Sequence, residues 1–136
     1  MFDSMSFLKN NFYEFENYLS CGTRGWICPG DTRYTDHDKK IYLREVGRLK
    51  LSLESAVNSS KFNDNIILMM HFPPTNDKHD RSEFIELIEK YNIKRVVYGH
   101  LHGKKKYDNS LIGNKNNVEY SLVSADYLGF TPIKIL

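Results

Sequence analysis

The spacing of apolar residues changes several times along the chain, and each change marks an element. From Asn11 to Gly22 aromatic and polar residues interleave, with Phe12, Tyr13, Phe15, Tyr18 and Leu19 interrupted at Glu16-Asn17. That pattern predicts two strands joined by a turn, because large side chains on alternate positions suit a pleated, half-buried surface. Met1 to Asn10 keeps no sustained period and reads as an irregular or weakly helical lead-in. Cys21 to Asp38 carries Gly22, Gly25, Pro29 and Gly30 and has no period of either kind, so a long loop is expected there. Trp26, Ile27 and Tyr34 give that loop apolar anchors and predict that it is ordered.

Tyr42, Val46, Leu49, Leu53 and Val57 then recur at steps of four and three, the spacing of one helical face. Asp36 or Asp38 can cap this helix, which should end near Asn58. Ile66 to Met70 is apolar without alternation, as in a strand buried on both faces of an α/β sheet, and the prolines of His71-Phe72-Pro73-Pro74 stop it. Asp80, with Glu83 three residues on, predicts the start of a second helix whose apolar face is Phe84, Leu87, Ile88 and Tyr91. Ile93 to Tyr98 is the next strand, which completes a βαβ unit. Antiparallel strands are expected in the remainder, near Ser110 to Gly113, from Val118 to Ser124 after a turn at Asn114 to Asn117, and near Pro132 to Ile135. No repeat or linker divides the chain, so residues 1–136 read as a single α/β domain.

Composition narrows the function. A chain of 136 residues can bury a core without covalent staples. Its two cysteines, Cys21 and Cys28, match neither a C-x-x-C pair nor a zinc knuckle, so free thiols in a reducing cytoplasm are expected. The formal net charge of +2 is too small to argue for a nucleic-acid partner. The N-terminus reads as no signal peptide, and the longest apolar run is too short for a membrane span. Lys104-Lys105-Lys106 is either a solvated loop or positive charge beside an anion site.

The histidines carry the chemistry. His71 and His100 each follow the end of a βαβ strand, and a right-handed crossover puts both ends on one sheet edge. Neighbouring strand tips lie about 4.8 Å apart, close enough for two imidazoles to share an ion at about 2.1 Å from each nitrogen. If the backbone stays extended, His102 points to the same side as His100 and reaches a second ion about 3.5–4 Å away. Gly99 and Gly103 would let the chain turn on either side. His37 and His79 stand in polar surroundings and are not expected to be ligands.

These residues also resemble a family. His71-Phe72-Pro73-Pro74, about thirty positions ahead of Gly99-His100-Leu101-His102, is similar to the two C-terminal metal motifs of calcineurin-like metallophosphoesterases. Cys21 to Trp26 and Tyr120 to Asp126 resemble a bacterial branch of predicted phosphohydrolases. The resemblance implies the C-terminal part of a four-layer αββα sandwich and hydrolysis of a phosphoester at a dinuclear centre, often of Mn, Fe or Zn. It implies that His71 and His100 ligate one metal and His102 the other, with Arg24 and Trp26 as candidate substrate contacts. The family's remaining ligands lie in upstream D-x-H, G-D-x-x-D and G-N-H-D segments. None is readable here, and neither Gly30-Asp31 nor Thr35 to Asp38 follows a buried strand as a substitute would. The expectation is therefore an incomplete domain, inactive alone, whose exposed edge meets a missing N-terminal segment or a second copy of itself. The alternative is a non-catalytic metal-binding or interaction remnant.

Overall fold

The unbroken apolar run Ile66–Met70 forms a strand in the interior of a six-stranded sheet, and the rest of the fold is arranged on it. The computed structural model describes residues 12–15, 17–58 and 65–135. In chain order they form β1 (Phe12–Phe15), β2 (Tyr18–Thr23), α1 (Asp36–Asn58), β3 (Ile66–Met70), α2 (Glu83–Lys90), β4 (Arg95–Tyr98), α3 (Lys104–Asp108), β5 (Gly113–Lys115) and β6 (Val118–Leu122). The strands lie in the order β1-β2-β3-β4-β6-β5. β2, β3, β4 and β6 are parallel, and β1 and β5 pair antiparallel at the two edges. The lead-in expected over 1–10 lies outside the described residues. Among the described residues the strands make one sheet, and no helix is long and apolar enough to cross a membrane.

Register explains the core. Cys21 sits opposite Leu68, Leu68 opposite Val96, and Val96 opposite Tyr120, so these side chains line one face. Tyr42, Leu49, Leu53 and Ala56 of α1 and Phe84, Ile85 and Ile88 of α2 join the same buried cluster. Both crossover helices thus cover one face of the sheet. On the opposite face Ile67 and Val97 are buried, whereas Met69 is 43% exposed, so the strand is not sealed on both sides as its apolar run predicts.

Several boundaries move, each for a visible reason. β2 continues through Thr23 into the predicted loop, because Cys21, Gly22 and Thr23 pair with Leu68, Met69 and Met70. Ser82, not Asp80, caps α2: its Oγ accepts from Ile85 N at 3.1 Å, while Asp80 accepts from Asn76 Nδ2. β4 begins at Arg95 because Ile93 closes α2 instead. Asn92 takes φ 57°, Asn92 N donates to Glu89 O, and Ile93 N reaches back to Ile88 O. This is a Schellman ending with asparagine in the left-handed position.

At the C-terminal end, β5 and β6 join through Asn116-Asn117, both with positive φ, as a two-residue type I′ hairpin requires. β6 is antiparallel to β5 but parallel to β4, which the antiparallel expectation missed. Residues 132–135 form no strand; Ile135 O accepts from the Arg95 guanidinium instead. The lysine triplet is the first half of the short exposed helix α3.

Candidate functional site

β3 and β4 stay paired for one step past their ends, where Gly99 N donates to His71 O at 3.1 Å. The chain then turns at His100. Its φ is 70°, and Leu101 N donates to Gly99 O at 2.8 Å, which closes a γ-turn of the rarer, strained kind. The expectation that glycine would make this turn is half met: Gly103 has φ 93°, but at the strand exit the left-handed residue is the histidine itself.

This turn brings His100 Nδ1 within 3.3 Å of His71 Nε2. Two nitrogens each about 2.1 Å from one tetrahedral ion stand about 3.4 Å apart, so the pair fits as two ligands of a single divalent ion. Burial, and then the neighbouring His71, hold the His100 pKa below its usual value, which favours the neutral imidazole that a metal needs.

His102 does not join them. The γ-turn breaks the extended backbone on which its expected direction depended, and its Nδ1 lies 2.8 Å from Asp126 Oδ1. Gly103 N donates to the other oxygen of Asp126 at 3.2 Å. Asp126 has a pKa lowered to about 2, chiefly by a hydrogen bond from Tyr107 and further by His102 and the Gly103 amide, against the opposing effect of burial. Among the described residues no three His, Cys, Asp or Glu side chains gather as a metal cluster. The His71–His100 pair therefore fits one ion with two imidazole ligands, and the bond from His102 Nδ1 to Asp126 does not involve its Nε2.

Arg24 and Trp26 lie in a column of stacked groups that ends at the histidines. The Arg24 guanidinium is 4.6 Å from the Trp26 ring, Trp26 is 4.9 Å from Phe72, and Phe72 is 4.1 Å from His100. Trp26 Nε1 donates to Asp38 Oδ1 at 2.9 Å, which ties the loop to the first turn of α1. Gly25 has φ 71°, a backbone conformation that a side chain would strain, and a Cβ there would also press on Met70 Cε at 3.0 Å. Beside His100 a cavity of about 430 Å³ opens between Trp26, Phe72, Leu101 and Leu111. His79 lines it but is held by Asn109 O, and His37 lies exposed on α1; neither approaches the imidazole pair as a ligand.

Residues 2–104 match the sequence family described as calcineurin-like phosphoesterase. The chain belongs to that family. Comparison with curated proteins and with solved structures returns no match. Calcineurin-like phosphoesterases generally use divalent metals, and the matched segment holds Arg24, Trp26, His71, His100 and His102. Asp126, which holds His102, and Tyr107, which hydrogen-bonds Asp126, lie beyond it. Sequence reasoning gave them no role, although Asp126 is the one carboxylate in the stretch Tyr120 to Asp126 that carried part of the family resemblance.

Proposed function

We propose that this chain carries the imidazole part of a metal-dependent phosphohydrolase site, and that His71 and His100 hold one divalent ion, manganese, iron or zinc. The observation that carries the reading is the 3.3 Å approach of His71 Nε2 to His100 Nδ1 at the carboxyl ends of adjacent parallel strands, where ligands of open α/β sheets bind. A divalent ion there supplies Lewis acidity toward a phosphoryl oxygen. The protein's own part is positional. The Gly99–His71 hydrogen bond fixes the distance between the two strand exits, and the Phe72 ring backs the His100 imidazole.

Hydrolysis by this chain alone is not part of the proposal. Two-metal hydrolysis needs ligands on both ions and carboxylates to offset their charge, and among the described residues no carboxylate joins the imidazole pair. Any carboxylate ligands would come from outside the described residues, from another segment or another chain.

Calorimetry with zinc and with manganese tests the metal claim. Wild type should bind about one ion per chain, and His71→Ala or His100→Ala should each abolish the heat. Equal heats for all three proteins would end the assignment. In parallel, the chain with manganese should give no hydrolysis of a chromogenic phosphoester above the metal-only blank, and turnover lost in His100→Ala would show that the chain hydrolyses the ester by itself.

A further inference from the structure

We infer that the cavity beside His100 receives a flat aromatic leaving group of the phosphoester, an aryl or heteroaryl ring whose phosphate sits toward the imidazole pair. The inference rests on the phosphoester reading above and adds the substrate class to it. A cavity of about 430 Å³ is within the range of small-molecule sites.

Its walls decide what fits. Trp26 and Phe72 form one side, a tilted aromatic pair with centroids 4.9 Å apart, and Leu101 and Leu111 are apolar surface in the same lining. Several polar groups around the cavity are already engaged with one another. Thr75 Oγ donates to Asn76 O, and the Asn76 amide donates to Pro29 O and to Asp80. Thr32 Oγ donates to Asp77, and Asp31 accepts from Arg33 N. A polyol leaving group would find no partner for its hydroxyls on the wall of Trp26, Phe72, Leu101 and Leu111, at a desolvation cost there. An aromatic ring needs none, and stacking and burial both favour it.

Charge points the same way. Lys105 and Lys106 also line the cavity, and among the described residues neither forms an ion pair with a carboxylate. Their charge complements an anionic ester at the His100 end.

The test is NMR titration of the metal-free chain, following the Trp26 indole N–H and the methyls of Leu101 and Leu111. The probes are phenyl phosphate, phenol and glycerol 2-phosphate. Phenyl phosphate should move all three residues saturably and bind about tenfold more tightly than glycerol 2-phosphate. Phenol should move the same residues more weakly. Thr32→Phe, at an exposed rim position, should weaken phenyl phosphate and phenol about tenfold while leaving glycerol 2-phosphate unchanged. Lys105→Gln with Lys106→Gln, both on the surface, should weaken phenyl phosphate and not phenol.

If glycerol 2-phosphate binds as tightly as phenyl phosphate and phenol moves none of these residues, the aromatic assignment falls while the phosphoester reading stands. If phenol binds in the cavity and the phosphate adds nothing, the ring is accepted but the phosphoester link is lost, and the leaving-group assignment falls with it.

Discussion

His100 holds a left-handed backbone that its side chain disfavours, and the same turn sets its imidazole against His71. Strain of this kind costs on the order of 1–3 kcal/mol and persists where the surrounding structure enforces it. Two substitutions isolate it. His100→Ala and His100→Gly both lose the imidazole, but only alanine keeps a Cβ in the disfavoured region. His100→Gly should therefore be the more stable of the two by about 1 kcal/mol in urea unfolding. If alanine proves equal or better, the backbone is not strained there. The position of the histidines was legible in the sequence, because an apolar run followed by His-Phe-Pro-Pro or Gly-His marks a strand exit. The turn at His100 was not, since glycine stood next to it and was the natural candidate. The partner of His102 was not legible either, because its Nδ1 bonds a carboxylate twenty-four residues later.

At the scale of elements, the strands and helices read from periodicity are nearly all present, and the errors cluster at their ends. Local chemistry competes there. Asp80 looked like a cap by spacing, yet Asn76 had already engaged its carboxylate, and Ser82 was left to cap α2. Ser82→Ala should lower stability by about 1 kcal/mol, more if Pro74 O is left without its donor. An unchanged urea midpoint would show that the cap is idle. Ile93 was counted as strand because it is apolar, and it is fully buried, but it serves the helix exit. The parallel pairing of β4 with β6 was illegible for a different reason: it brings together strands separated by α3 and a hairpin, and no local pattern encodes that partnership.

For the whole molecule, the buried thiols set an alkaline limit. Burial raises Cys21 and Cys28 from the ordinary value of 9.0 to about 12. Above about pH 9 the unfolded chain can ionise these groups while the folded chain cannot. Their contribution is therefore fully present below the unfolded pKa and is lost as pH rises toward the folded one. Urea midpoints should fall between about pH 8 and pH 10, where the unfolded chain's tyrosines begin to ionise as well, and Cys21→Ala with Cys28→Ala should flatten the slope. Identical slopes in the two proteins would exclude the thiols as the cause. That both cysteines are free was legible from their spacing; that both are buried followed only once Cys21 was found in β2 and Cys28 against Pro74 O.

The hydrogen bond between Trp26 and Asp38 also bears on motion. α1 has 23 residues and spans about 34 Å, roughly twice the length of the five-residue strand β3. Its first turn, which carries Asp38, takes hold of the loop that walls the cavity. A wall tied in this way is held at one point by the helix, and it is less free to move than a loop with no such tie. A displacement of this wall therefore requires breaking the Trp26–Asp38 bond or carrying the first turn of α1 with it.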